Sequence, residues 1–231
     1  MPNNVKNTTS VGLLDLIAPH SCRGCGCLGS IICERCKNNI LATEFQLCPN
    51  CKTKTKNHQC PNCQDLPPFF IVDERSSLIG ALVHDYKYNS TRVLAKPLAE
   101  ILDKTIPNTA NNTIIVPLPT INRHIRERGF DHTYLIAKQF AKIRHQNSQV
   151  KKLLLRSKNT IQVGADRSTR LTQADSAYMI NPKVKIDKNA TYILFDDVWT
   201  TGASLKSAVK KLRQAGARDI IIAILALSRL D

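Results

Sequence analysis

The sequence predicts an α/β protein, a parallel β-sheet flanked by helices, with a small cysteine-rich module in front. Three observations predict it. Apolar runs of strand length alternate with segments of helical periodicity through the C-terminal two-thirds of the chain. One of these runs, 192–195, ends on two adjacent carboxylates and turns through Thr200-Thr201-Gly202 into a helix-forming segment. Eight of the nine cysteines form four Cys-x-x-Cys pairs near the N-terminus.

At 231 residues the chain can hold one sizeable core and a small module. The module is expected over 1–66. Its pairs, Cys22/Cys25, Cys33/Cys36, Cys48/Cys51 and Cys60/Cys63, have metal-ligand spacing. Two thiolate knuckles complete one tetrahedral Zn²⁺ site, so the four pairs make two. Sequential pairing is the parsimonious arrangement, with cross-braced pairing and disulfides as the competing ones. The start, Met-Pro-Asn-Asn-Val-Lys, opens no secretory signal, and the resulting cytoplasmic reading argues against disulfides. Four thiolates leave no open coordination position, so the expected role is structural. With little apolar content, the module needs its metal to fold. Cys27 falls outside the pattern and is expected to be a spectator. Lys52, Lys54 and Lys56 either are solvated or touch nucleic acid.

Asp65-Leu-Pro-Pro-Phe69 marks the boundary to a second domain over 67–231. Helices are expected over 78–88 and 92–102, with Pro97 kinking or shortening the second. A β-branched run over 113–118 reads as a strand, followed by a loop to residue 132. Residues 132–145 are helical, and 150–155 read as another strand. The polar stretch 158–178, with Thr160, Gln162, Arg167, Arg170 and Gln173, is either a lid or a linker. Leu205, Ala208, Val209, Leu212 and Ala215 recur at helical spacing and Gly216 ends that helix. The run 220–227 is a buried terminal strand, and no stretch reaches the roughly 20 apolar residues of a membrane span.

Chemistry concentrates at Asp196-Asp197 and the turn after it. Open α/β sheets bind ligands at the carboxyl ends of their strands, where these acids stand. Thr200, Thr201, Gly202, Ala203 and Ser204 would present N–H groups and hydroxyls at a helix N-terminus, a ready anion site. Carboxylates suit ribose hydroxyls or a hydrated Mg²⁺. The competing reading is a buried strand, a turn and an ordinary capped helix. In the loop before residue 132, Arg123, Arg126 and Arg128 offer planar guanidinium forks for a pyrophosphate, or simply begin a basic surface helix. The formal charge of +15 is concentrated in this middle region and favours polyanionic partners.

The acidic pair with its Thr/Gly loop resembles the phosphoribosyl pyrophosphate (PRPP) signature of type I phosphoribosyltransferases. The order of features along nearly the whole chain resembles the ComF/GntX family, associated with DNA uptake in natural transformation. The resemblance runs from the zinc knuckles through Lys87-Tyr88, Val116-Pro117-Leu118-Pro119 and Arg126-x-Arg128-Gly129-Phe130. It continues through Thr160-x-Gln162, Arg167, Arg170, Ala177-Tyr178 and Asp196-Asp197-x-x-Thr200-Thr201-Gly202. Asp131-His132 departs from the Asn-Gln usual there, Gln173 replaces Asn and Ser204 replaces Thr. The resemblance implies a type I phosphoribosyltransferase core behind a zinc ribbon, binding PRPP with Mg²⁺, with single-stranded DNA and competence-machinery proteins as partners. Asp196 and Asp197 would take the catalytic role, Asp197 as candidate general base. Three function classes follow: a DNA-uptake factor with PRPP as ligand or regulator, a working transferase acting on a base or amine, and a docking module with a vestigial site.

Overall fold

The computed structural model describes residues 20–42, 46–89, 91–109, 112–144, 148–157 and 177–228. Among these residues the strands are β1 (Phe69–Glu74), β2 (Thr113–Pro117), β3 (Ser148–Val150), β4 (Leu154–Arg156), β5 (Tyr178–Ile180), β6 (Thr191–Trp199) and β7 (Asp219–Leu227). Five of them form one sheet in the order β1-β7-β6-β2-β3 with every pairing parallel, while β4 and β5 form an antiparallel ribbon. The central strand is apolar because both its faces are covered: Ile193 of β6 sits between Ile115 and Ile221, and Tyr192 to Phe195 are wholly buried.

The helices are α1 (Glu34–Leu41), α2 (Leu78–Tyr88), α3 (Ala95–Thr105), α4 (Asn122–Arg128), α5 (His132–Arg144) and α6 (Ala203–Gln214). Leu82 of α2, Leu98 of α3 and Phe140 of α5 pack with Ile193 and Phe195 on one face of the sheet. On the other face, Leu205 and Leu212 of α6 and Tyr178 of the ribbon pack with Tyr192 and Leu194. The expected architecture, a parallel sheet with helices on both faces, is the observed one.

Several expectations shift. The strand expected over 150–155 is two strands, because Leu153 N–H bonds back to Lys151 O at 2.9 Å and turns the chain from β3 into the ribbon. The loop expected between 116 and 132 contains α4, stabilised by an Arg123–Glu127 pair one turn apart and ended by Gly129 at φ 74°. Arg92–Leu94 form a 3₁₀ turn, and α3 proper starts at Ala95. Pro97 thus falls in its first turn, where a missing N–H costs nothing. The edge strand β1 follows directly on the Pro67-Pro68 pair that had marked only a boundary.

The cysteine-rich segment packs into both layers beside β1. Cys22, Ile31, Ile32, Cys36 and Ile40 join the core under α2 and α3, whereas Cys48, Cys60 and Leu66 join the opposite one. Buried Lys37 bonds Glu34 Oε1 at 2.7 Å and Glu100 Oε2 of α3 at 2.5 Å. Arg213 of α6 donates to Asp65 O at 2.8 Å, and Phe69 N–H to His58 O at 3.0 Å.

Candidate functional site

The parallel sheet delivers the carboxyl ends of β6 and β2 to the same edge, and Leu118 N–H extends the pairing by bonding Phe195 O at 2.8 Å. Two helices meet there. Lys87 stands in the last turn of α2 and His132 opens α5, and both reach Asp197 Oδ2, at 2.9 Å from Lys87 Nζ and 2.9 Å from His132 Nε2. The three side chains are 15%, 7% and 4% exposed for Lys87, His132 and Asp197. Burial alone would push the Asp197 carboxyl up, above the usual carboxylate range. The Lys87 charge and His132 outweigh it and hold the carboxyl well below the usual carboxylate range.

The other ring nitrogen, His132 Nδ1, lies 3.0 Å from Arg128 NH1. A guanidinium only donates, so Nδ1 accepts and the ring proton sits on Nε2, facing Asp197. Thr120 Oγ1 lies 3.4 Å from the same Nδ1 and bonds Asp131 Oδ1 at 3.2 Å, and Thr133 Oγ1 donates to Leu118 O at 3.0 Å. The Tyr86 hydroxyl donates to His132 O at 3.0 Å. A continuous chain, Lys87–Asp197–His132–Arg128, thus ties α2, β6, α5 and α4 together.

Asp196 is placed differently. Its Oδ1 accepts the Asp197 backbone N–H at 2.9 Å, and among the described residues no cation pairs with it. Burial, then the neighbouring Asp197 charge, pushes its carboxyl up to about 8. The two acids adjacent in sequence are therefore an anchored carboxylate and an unpaired carboxyl.

Beyond them the chain turns into α6. Gly202 takes φ 73°, and a Cβ there would collide with the Trp199 ring, so only glycine fits. The N-cap residue of α6, Gly202, has no side chain to cap it, Thr201 Oγ1 accepts the Ala203 N–H at 3.4 Å, and the first turn carries no acid to oppose a bound anion. Thr200, Thr201, Ala203 and Ser204 are exposed around this turn. The buried Trp199 Nε1 beneath it has no hydrogen-bond partner among the described residues.

The three arginines separate. Arg128 joins the chain to Asp197. Arg123, 78% exposed, is held by Glu127 at 2.7 Å, and Arg126 is exposed. Thr160, Gln162, Arg167 and Arg170, with Gln173, lie outside the described residues. Lys87 and His132 carried no chemical role in the sequence reading. They are far apart in the chain, and no spacing pattern marks a pair that meets only through the sheet.

The cysteines gather in two groups, the second from two consecutive knuckles and the first with Cys27 among its four where Cys36 had been expected. Within each group the four sulfurs lie within 4.8 Å of one another: Cys48, Cys51, Cys60 and Cys63 in one, and Cys22, Cys25, Cys27 and Cys33 in the other. Cys27, expected to stand aside, is a member, and the Cys36 thiol touches Cys22, Cys33 and Cys25. All-thiol groups of this size suit a tetrahedral soft-ligand ion such as Zn²⁺. The Cys27 N–H and the Arg35 side chain pull Cys25 down to about 5, and Thr53 leads in pulling Cys51 down to about 6, toward the thiolate form that binds metal.

No protein family matches the sequence, and no curated protein does. Among solved structures, the allosteric regulatory enzyme of purine biosynthesis is 14% identical over 56% of this chain and 25% of its own, with a TM-score of 0.37. A hypoxanthine phosphoribosyltransferase from Staphylococcus aureus, in its tetragonal form, is 12% identical over 59% of this chain and 62% of its own, with a TM-score of 0.35. Its orthorhombic form is 13% identical over 62% and 68%, with a TM-score of 0.33. The chain thus spans about a quarter of the first structure and three-fifths of the second. At these similarities the assignment of an α/β fold rests on the sheet itself.

Proposed function

We propose that the chain is a ComF-like protein whose α/β domain binds PRPP with Mg²⁺ and which handles single-stranded DNA in the cytoplasm, alongside competence-machinery proteins. The observation that carries the ligand assignment is the Asp196 carboxyl, without a cationic partner among the described residues, beside the acid-free N-terminus of α6 at the carboxyl edge of a parallel sheet. The N–H groups of the Thr200–Ser204 turn would hold the 5′-phosphate. Asp196 would meet the ribose hydroxyls or a metal-bound water, for which it must ionise. Mg²⁺, when bound, supplies positive charge to the departing pyrophosphate. Arg128, steadied by His132, is the arginine best placed to share that work, and Arg126 is free to reach a phosphate. Asp197, anchored by two partners, is better suited to fixing the site than to taking a proton, which leaves Asp196 as the candidate base.

The zinc reading rests on the two thiol groups, which would each hold a structural ion. The DNA reading rests on the resemblance and on the basic middle of the chain. No helix among the described residues is long and apolar enough to cross a membrane. A working transferase, passing ribose 5-phosphate to a base or amine, is the second reading. It is favoured by an Asp196 carboxyl poised to change protonation near neutral pH.

The deciding experiment follows PRPP consumption and pyrophosphate release with a panel of bases, amines and single-stranded oligonucleotides. A ligand-binding uptake factor leaves PRPP intact with every acceptor while single-stranded DNA still binds. Release of pyrophosphate with one base or amine establishes the transferase instead.

A further inference from the structure

The two cysteine groups are built on the same local frame. In the first, Ser21 bridges Leu28, Cys22 N–H bonds Cys27 O at 2.8 Å, Gly26 N–H bonds Cys22 O at 2.8 Å and Gly26 takes φ 77°. In the second, Leu47 bridges Lys54, Cys48 N–H bonds Thr53 O at 2.9 Å, Lys52 N–H bonds Cys48 O at 2.9 Å and Lys52 takes φ 60°. The contacts across the knuckles repeat as well, with Cys25 Sγ 3.6 Å from Cys33 Sγ and Cys51 Sγ 3.4 Å from Cys60 Sγ. Residue for residue, Cys27 therefore occupies the place of Thr53, and Cys36 the place of Cys63.

Thr53 Oγ1 sits 3.3 Å from Cys51 Sγ, a hydroxyl beside a ligand. In the equivalent place Cys27 brings a sulfur onto Cys25 and Cys33. The first frame thus gathers five thiols where the second gathers four. Cys27 is exposed on the outside of its knuckle. Cys36 is buried on α1, where a Cβ on Gly24 would stand only 2.7 Å from its sulfur. A tetrahedral ion takes four ligands.

Resting on the zinc reading above, we propose that the first site is an exchange site, in which Cys27 and Cys36 alternate as fourth ligand to a Zn²⁺ held by Cys22, Cys25 and Cys33, while the second site is closed. The exchange is balanced: as one thiolate leaves the ion it takes up a proton, and the incoming thiol gives one up. The released cysteine is a free thiol beside a bound metal, so the first ion can pass to a competing ligand without the site falling open. The closed site, with Thr53 in that place, cannot do this.

The test counts zinc in the purified full-length protein and in four variants of it. Wild type should hold two ions, and fewer than two would sink the zinc reading itself. Cys36→Ser should keep two, whereas Cys63→Ser, which has only Thr53 beside its site, should fall to one. Cys27→Thr combined with Cys36→Ser should also fall to one. Thr53→Cys should restore the second ion to Cys63→Ser. A single ion in Cys36→Ser, or no restoration by Thr53→Cys, overturns the proposal. A measurement on the unaltered holoprotein guards against misfolded variants. Brief alkylation followed by peptide mass analysis should divide its label between Cys27 and Cys36, and label confined to Cys27 contradicts exchange.

Discussion

Adjacent aspartates with opposite surroundings are the most telling feature at the scale of single residues. Asp197 is depressed by Lys87 and His132, so the unfolded chain binds its proton more readily, and the stability it contributes is lost as the pH falls below about 4. Asp196 is raised to about 8, so between its unfolded value and that pH the folded chain binds the extra proton, and stability declines as the pH rises through this window. Asp196→Asn should therefore raise the melting temperature only modestly near pH 5 and markedly more at pH 8, by roughly 2–4 °C for each 1 kcal/mol relieved. Calorimetry at the two pH values checks this, and an equal effect at both would show that Asp196 is not held protonated. Lys87→Met leaves a buried carboxylate with His132 alone and should cost about 3 kcal/mol, measured by denaturant unfolding. The sequence made the acidic pair visible, because an apolar run ending in two carboxylates is a local pattern. Their division of labour was not visible, since Lys87 and His132 reach Asp197 from two helices distant in the chain. Likewise the spare role expected for Cys27 followed from its lack of a Cys-x-x-Cys partner, while its position depends on a hairpin that returns it to Cys25 and Cys33.

Among the elements, β6, the turn at Gly202 and α6 form the unit proposed to hold the phosphate. The strand was legible from its continuous apolar run, and α6 from helical spacing closed by Gly216, which takes φ 103°. β1 was not read, and α4 was read only as the competing basic surface helix. β1 is a short apolar run hidden behind two prolines. α4 is a polar seven-residue helix with no buried residue, so no apolar stripe announces it. The β3–β4 break escaped because a turn made by a Leu153 N–H to Lys151 O bond has no glycine or proline to mark it. Within α6, Gly202→Ala must place a Cβ against Trp199 at positive φ. It should destabilise the protein by roughly 1–3 kcal/mol and abolish the response to PRPP. Comparing thermal shifts of this variant with those of Ala203→Gly, which leaves the left-handed turn alone, separates the loop geometry from general damage.

At the scale of the whole molecule, the cysteine-rich segment is wedged into the core on both sides of β1 instead of standing apart. Cys22, Cys36 and Ile40 share a cluster with Leu98 and Leu102 of α3, and Cys48 and Cys60 share one with Leu194 and Ile222. Removing metal with a chelator should therefore lower the melting temperature of the entire protein in one transition, without an early separate one. Two resolved transitions in calorimetry would mean that the module unfolds independently. The net charge of +15 is partly committed internally: Arg144 is buried against Asp103 at 2.8 Å, and Arg123 is paired with Glu127. Single-stranded DNA affinity should fall with rising salt, with a logarithmic slope of roughly −0.7 per phosphate neutralised. Arg126→Ala should reduce that slope more than Arg144→Ala does.

The central claim, that the carboxyl edge of the sheet is a PRPP site, is tested most directly by thermal denaturation with and without PRPP and Mg²⁺. At a hundredfold excess over the dissociation constant, binding should stabilise the protein by about 2.7 kcal/mol, a rise on the order of 5–10 °C for a chain of this size. The rise should vanish when Asp196→Asn and Asp197→Asn are combined. An unchanged melting temperature in the native protein, at any PRPP concentration, would contradict the account.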